Sequence, residues 1–220
     1  HCISSAASDV YKRQIQGLTE FLPISSSAHL LLPSLLFGFN DLGLSFDIAV
    51  HAGTLIAVIY YFRKEIALMF KSFLLTDVNL LPHRNLAISL IVATIPIILA
   101  GLFVKDFIDQ RVFNIEHIAI ANIIFAGILL FAYLKRKDIK NLYSVTLYSA
   151  LFVGVFQSLA LFPGASRSGT AITAALLLGF NLKDASKFSF MLGIPTIFGA
   201  LVLLIIEMQS TLEAFNYMNL

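Results

Sequence analysis

QGLTEFLPISSSAHL at residues 16–30 and LFPGASRSGT at residues 161–170 are the two stretches that decide the fold. Each stretch interrupts an apolar segment with proline, serines and ionisable side chains. Backbone that leaves a helix inside a bilayer is tolerated only where protein or a water-filled cavity satisfies its polar groups. The surrounding segments, about 15–39 and 145–180, therefore each predict a re-entrant helix–loop–helix pair.

The two segments form an internal repeat with an offset of 141 residues. Ten of the 25 positions in 16–40 are identical to their counterparts in 157–181. Chance matches of Leu and Phe would not produce serines, a glycine and an asparagine in one register. The informative identities are Gln16 with Gln157, Ser25 with Ser166, Ser27 with Ser168, Gly38 with Gly179, and Asn40 with Asn181.

The composition is that of a membrane protein. Hydrophobic residues make up 58% of the chain and charged residues 13%, with a mean hydropathy of +0.86, whereas soluble domains carry about 25% charged residues. Four further apolar runs, near 44–62, 86–104, 118–134 and 188–207, reach the roughly 17–25 residues that a transmembrane helix needs. We therefore predict an all-α, polytopic membrane helical bundle.

Charge and cysteine content exclude several functions. The net charge of +2 does not indicate nucleic-acid binding. The single cysteine, Cys2, cannot form an internal disulfide, and no Cys/His spacing typical of zinc sites occurs.

Three predicted spans separate the two broken segments, and an odd number of crossings inverts the second relative to the first. The first and third of these spans are each followed by a basic cluster, which places both following loops in the cytoplasm by the positive-inside rule. The sequence thus predicts inverted-topology repeats whose breaks meet near the bilayer midplane. The clusters are Arg63, Lys64, Lys71 and Arg84, then Lys135, Arg136, Lys137 and Lys140.

The repeat also predicts the domain organisation. We expect residues 1–14 to be a non-native or disordered remnant, the alternative being a polar tail. Residues 15–220 then form one membrane domain, with repeat one at about 15–140 and repeat two at about 145–220. The second repeat has one span after its break where the first has three, so we expect a C-terminal truncation.

The first break carries an acid, hydroxyls and an imidazole. An ionisable group in a membrane segment is expensive and indicates function by default, which singles out Glu20 and His29. Gln16 lies four residues before Glu20, on the same helix face. The structural alternatives are a carboxylate that snorkels to the interface, a packed histidine, and serines that only cap the next helix.

The second break carries a cation and small residues. Arg167 is a permanent cation whose forked donors match phosphate oxygens, and the helix that follows directs its N-terminus to the same place. The alternative is an arginine that pairs with Glu20 for structure alone. The predicted site thus combines an anion-binding arginine and helix N-terminus with a carboxylate, a hydroxyl and an imidazole. This combination inside a membrane protein favours phosphoryl transfer from a lipid phosphate. In that hypothesis Ser26 attacks, His29 activates it, and Arg167 stabilises the developing charge.

The strings QGLTEFLPISSSAHL and PGASRSGTAIT (163–173) closely resemble the two signature motifs of bacterial undecaprenyl-pyrophosphate phosphatases, the enzymes linked to bacitracin resistance. The resemblance runs from about Ile15 to the C-terminus. It implies hydrolysis of undecaprenyl pyrophosphate to the monophosphate, which recycles the cell-wall lipid carrier, in the bacterial inner membrane. The positive-inside topology makes the first broken segment open outward, so we predict an active-site mouth on the extracytoplasmic face, where the resemblance implies that the spent carrier is left.

The predicted site follows from both lines of reasoning. Its catalytic residues are Glu20, Ser26, His29 and Arg167, and Glu20 is also the candidate ligand for a divalent cation, Mg²⁺ or Ca²⁺. The predicted phosphate-binding residues are Gln16, Ser25, Ser27, Gly164, Ser166, Ser168, Gly169 and Thr170.

Two positions depart from the family pattern. Gln16 stands where the family more often has Glu, which weakens a two-carboxylate metal site. The family threonine lies two residues past the glycine of the second motif, where this chain has Ala171 and places Thr170 one residue earlier.

The expected partners are the polyprenyl pyrophosphate lipid and the membrane, with a homodimer as a further expectation and no nucleic acid. The competing function is a polyprenyl-phosphate transporter, or flippase, that uses the same inverted-repeat site. A carrier needs to bind phosphate but needs no nucleophile–base pair, so Ser26 with His29 favours the phosphatase.

Overall fold

The computed structural model describes residues 2–37, 43–109 and 114–218, and these are helical apart from turns, short links and one isolated β-bridge between Lys140 and Phe180. Three short 3-10 turns, Val78–Leu80, Leu142–Ser144 and Leu159–Leu161, connect longer helices. The α-helices are α1 (Cys2–Thr19), α2 (Ser26–Phe37), α3 (Gly43–Tyr61), α4 (Arg63–Leu74), α5 (Leu81–Asp109), α6 (Ile115–Lys135), α7 (Leu147–Ser158), α8 (Arg167–Leu177) and α9 (Leu182–Met218). Residues 2–14, set aside above as a remnant, form most of α1.

Among the described residues, three helical stretches are long and apolar enough to cross a membrane: Val78–Val104, Ile115–Lys135 and Leu182–Ile206. A fourth candidate is the pair Phe46–Tyr61 and Arg63–Leu74, which bends by 72° at Phe62. At most 28% of the apolar 18-residue window in each long stretch is buried inside the protein, so most of the residues in that window face outward, where lipid would cover them. Three of the four predicted runs, 86–104, 118–134 and 188–207, therefore lie in helices with the length and composition of membrane spans, and the run 44–62 lies in the bent pair.

Both predicted broken segments are interrupted in the expected places. Residues 20–25 leave the helical path between α1 and α2, and residues 162–166 do so between the Leu159–Leu161 turn and α8. Pro23 and Pro163 contribute to this, because proline disfavours helical backbone in the residue before it.

The core is built around α8. Nine consecutive residues of this helix, 168–176, are buried, and α6, α7 and α9 pack against it. Helices α5 and α7 also pack closely at a small residue: a methyl group at Gly154 of α7 would overlap the backbone of Ala93 in α5. Small residues that let backbones approach are typical of helix interfaces in membranes.

Candidate active site

Both breaks end in the same device, a serine that caps the next helix. Ser25 Oγ accepts a hydrogen bond from the backbone N–H of Ala28 at 3.3 Å, and Ser166 Oγ accepts one from Gly169 at 3.1 Å. Ser25 and Ser166 match at the sequence offset of 141 residues, and each is the N-cap of the helix that follows its break. As a consequence, Ser26 and Arg167 each occupy the first position of a helix.

The two breaks touch each other. Ser168 Oγ donates a hydrogen bond to the backbone carbonyl of Leu22 at 2.9 Å, and Ser166 Oγ donates to the same carbonyl at 3.5 Å. The expected contact between the breaks is therefore present. It brings the N-termini of α2 and α8, with their partial positive charges, to one place.

An ion pair between the breaks forms the centre of the site. Arg167 Nη2 contacts Glu20 Oε1. The other oxygen of Glu20, Oε2, accepts hydrogen bonds from Gln16 Nε2 at 2.5 Å and from Ser26 Oγ at 3.0 Å. The Glu20 side chain is only 3% exposed. Burial of a charge is expensive unless it is paired and hydrogen-bonded, and here donors from α1, α2 and α8 meet that requirement.

His51 is a member of the site that sequence reasoning missed. It lies in α3, with Nε2 3.2 Å from Glu20 Oε2 and Nδ1 2.6 Å from the backbone carbonyl of Asp47. The signal was available, because His51 and Asp47 are ionisable residues inside the apolar run 44–62. The rule that selected Glu20 and His29 selects them too, but neither belongs to a break or to a signature motif.

A cavity of about 180 Å³ opens beside the ion pair. A single water needs roughly 10–15 Å³ by this measure, so the cavity has room for a phosphate group together with water. Its polar wall is formed by Glu20, Ser26, His51, Arg167 and Thr196. The apolar wall comes from Ile48, Ile97, Ala160, Leu161, Ala165, Ile197 and Ala200.

Other predicted site residues have structural contacts. His29 Nδ1 lies 2.6 Å from the backbone carbonyl of Ser25, and Thr170 Oγ1 donates to the carbonyl of Arg167 at 3.0 Å. Gly164 adopts a φ of 103° and packs against the backbone carbonyl of Ile118. None of these three lines the cavity beside the ion pair, so their roles in catalysis or phosphate binding stay predictions. The side chain of Ser27 lies outside the described part of the chain.

The described residues do not by themselves make a site for a resident divalent cation. Across residues 2–37, 43–109 and 114–218, the described side chains form no group of three or more His, Cys, Asp or Glu that could hold a metal ion. Glu20, the predicted ligand, is already paired with a guanidinium. A cation carried by a diphosphate is a different case, because Mg²⁺ is commonly held by one or two carboxylates plus substrate phosphates.

Comparison with known proteins matches residues 14–219 to the family model described as bacitracin resistance protein BacA. The chain is 49% identical over 189 residues to the undecaprenyl-diphosphatase of Saccharophagus degradans, which covers 86% of this chain and 71% of that protein. It is 48% identical over 187 residues to undecaprenyl-diphosphatase 1 of Pseudoalteromonas translucida, with 83% and 70% covered. The matched region contains both breaks, α3 and all of the cavity-lining residues.

Proposed function

The chain belongs to the bacitracin resistance protein BacA family, and we propose that its undecaprenyl-diphosphatase reaction takes place in the cavity beside Glu20, Ser26 and Arg167. The reaction converts undecaprenyl diphosphate to the monophosphate and inorganic phosphate. The observation that carries the placement is the buried ion pair of Glu20 with Arg167, which lies where two helix N-termini meet beside a hydroxyl group.

The cavity offers the diphosphate three attractions. Arg167 supplies a guanidinium whose planar fork fits phosphate oxygens, and the N-termini of α2 and α8 favour negative charge. A diphosphate that enters would compete with Glu20 for Arg167. The carboxylate would then keep its bonds to Gln16 and Ser26, which lie 2.5 and 3.0 Å from Oε2.

The chemistry that fits this arrangement begins with attack of Ser26 Oγ on the terminal phosphorus. The bond from that phosphorus to the bridging oxygen breaks, and undecaprenyl phosphate leaves while a phosphoserine forms. Glu20 Oε2 already accepts the hydrogen bond from Ser26, so we propose it as the proton acceptor in place of His29, whose Nδ1 faces the carbonyl of Ser25. Water then hydrolyses the phosphoserine, which releases phosphate and restores Ser26. Direct attack by water held between Glu20 and the phosphorus is the alternative that the same geometry allows.

Phosphate release by the purified protein tests this function. We expect the protein in detergent, with undecaprenyl diphosphate as substrate, to release inorganic phosphate, and the Arg167→Ala variant to release far less. Detergent leaves no membrane to cross, so release under these conditions separates a phosphatase from a carrier. Binding of the lipid with no phosphate release would contradict the proposal.

The finer architecture that we propose is a pair of inverted repeats with re-entrant helices. The 11 residues of α8 and the 12 of α7 rise about 1.5 Å each as helix, well short of a hydrocarbon core of about 30 Å. The contact between the two breaks, each of which is followed by a short helix, supports this architecture.

We also propose that the ends of α3 and α6 share the cytoplasmic face and that the mouth of the site is extracytoplasmic. Arg63 Nη1 donates to the carbonyl of Tyr60, and Arg136 Nη1 to that of Tyr133, each at 2.8 Å. Aromatic residues are typical of both membrane interfaces, and an excess of basic residues is typical of the cytoplasmic side. A cysteine placed at Ser27, after replacement of Cys2, should react with a membrane-impermeant thiol reagent in intact cells. Reaction of this cysteine only in inside-out vesicles would indicate the opposite orientation, with a cytoplasmic mouth.

Two expectations remain as proposals with direct measurements. If a divalent cation, Mg²⁺ or Ca²⁺, acts together with the diphosphate at Glu20, a chelator should lower phosphate release and added cation should restore it. If the protein forms a homodimer, cross-linking in native membranes should trap a species of twice the monomer mass.

A further inference from the structure

A third structural element reaches the ion pair from outside both breaks. His51 lies in α3, an apolar helix that packs on α1 and α9, and its side chain is 21% exposed on the wall of the cavity. A polar ring at this position is costly in a membrane segment. Its two nitrogens have defined partners, which indicate what the ring does.

The ring nitrogens of His51 both face groups that accept hydrogen bonds. Nδ1 lies 2.6 Å from the backbone carbonyl of Asp47, and a carbonyl can only accept, so Nδ1 carries a hydrogen. Nε2 lies 3.2 Å from Glu20 Oε2. That second contact is favourable only with a proton between the two atoms, on either the imidazole or the carboxyl group.

The anchor on Asp47 sets the direction of the ring. Asp47 and His51 are four residues apart, so the carbonyl that holds Nδ1 belongs to the preceding turn of the same helix. The ring is therefore fixed to rigid backbone, and Nε2 is directed at Glu20. Glu20 Oε2 consequently has three neighbours from three helical segments, Gln16, Ser26 and His51.

We propose that His51 is a positioning residue for Glu20: its Asp47-anchored imidazole holds the carboxylate in the orientation that receives Ser26 and meets Arg167. This inference rests on the proposed function. When the diphosphate draws Arg167 away from Glu20, the contact with His51 keeps one side of the carboxylate in place. The residue acts through Glu20 and needs no contact with the substrate.

The experiment compares His51→Gln with His51→Leu in the phosphate-release assay. The glutamine amide can donate a hydrogen bond to Glu20 but cannot carry a proton at neutral pH, whereas leucine fills the space and donates nothing. We expect His51→Leu to lower kcat about 10- to 100-fold with a smaller change in KM, because a displacement of 1 Å in a catalytic arrangement can cost about 10²-fold. His51→Gln should recover most of this loss.

A matched control and two outcomes make the test decisive. His117→Leu changes a histidine in the first turn of α6, away from the cavity, and should leave activity within about twofold of the unchanged protein, as expected for a surface substitution. Thermal unfolding in detergent checks that the two His51 variants are folded. An equal loss of kcat in both His51 variants would overturn the positioning role in favour of proton transfer by His51. An unchanged kcat in His51→Leu would show that His51 has no role in the reaction. An unchanged protein that releases no phosphate would instead refute the proposed function itself.

Discussion

The two breaks use one backbone device for two chemical purposes. At the N-cap position the two breaks are identical: Ser25 and Ser166 cap the helices that follow. At the positions that line the cavity they differ, since Ser26 of the first break corresponds to Arg167 of the second. Glu20 likewise corresponds to Leu161. The two breaks therefore share the serine that caps the next helix and differ in the side chain that the helix N-terminus presents to the cavity.

The breaks also differ in how the backbone turns. Gly164 in the second break has a φ of 103°, and a side chain there would meet the carbonyl of Ile118 at 2.6 Å. The equivalent residue in the first break is Pro23, and no described residue from 20 to 25 has a positive φ. The second break leads into the buried helix α8 and has to turn in a confined space, which only glycine permits.

The largest effect that we predict is at the cation of the second break. Arg167→Ala should lower kcat roughly 10²–10³-fold, the cost of removing a principal transition-state donor, and Arg167→Lys should restore little because lysine lacks the bidentate fork. Phosphate release gives the measurement. Arg63→Ala, at an exposed arginine on a helix end, is the control. Near-normal activity of the lysine variant would show that Arg167 contributes only its positive charge and not its bidentate fork.

The hydroxyl of the first break should come next. Ser26→Ala removes the hydroxyl that we propose as the nucleophile and should lower kcat about 10²-fold, on the order of the loss of one catalytic group, with little change in stability. Ser25→Ala should instead lower the free energy of unfolding by about 1 kcal/mol through loss of the cap. Ser27→Ala should cost less activity than Ser26→Ala. Equal, mild losses of activity in all three variants would assign the three serines to helix capping alone.

The difference in backbone turn predicts a smaller effect on stability. Gly164→Ala should lower the free energy of unfolding by about 1–3 kcal/mol, the cost of a strained backbone conformation, and the overlap with α6 should add to this. Gly17→Ala is the matched variant near the first break. Nothing lies within 4 Å of its added methyl, so it should gain up to about 1 kcal/mol from helix propensity. Thermal unfolding in detergent compares the stabilities of the two variants. A Gly164→Ala variant as stable as the unchanged protein would contradict the claim that the turn at Gly164 is confined.

The contact between the breaks should give the smallest effect. Ser168→Ala removes the 2.9 Å hydrogen bond to Leu22 and should lower the free energy of unfolding by about 1 kcal/mol. Ser158→Ala removes a bond of the same kind, 2.6 Å to the carbonyl of Val155, from an exposed side chain. It should change stability by no more than about 0.5 kcal/mol. If both variants unfold alike, the link between the breaks contributes nothing.

Local sequence determined the helical spans and the two interruptions, and it predicted part of the candidate site. Helical spans follow from long apolar runs, because a bilayer leaves the backbone no other partner than itself. Both interruptions follow from proline and serine, whose preferences act over a few residues. The pair of Gln16 with Glu20 follows from helical spacing, and the contact between the breaks follows from the repeat.

Only the tertiary structure decided which groups meet around Glu20. His51 comes from α3, and its local sequence does not predict that its ring faces the carboxylate of Glu20, 31 residues earlier in the chain. Conversely, Ser166 and Ser168 read as phosphate ligands by residue type, yet their hydroxyl groups are engaged with Gly169 and Leu22. Residue type and spacing set what a side chain can donate or accept, whereas the packing of distant helices sets the partner that it finds.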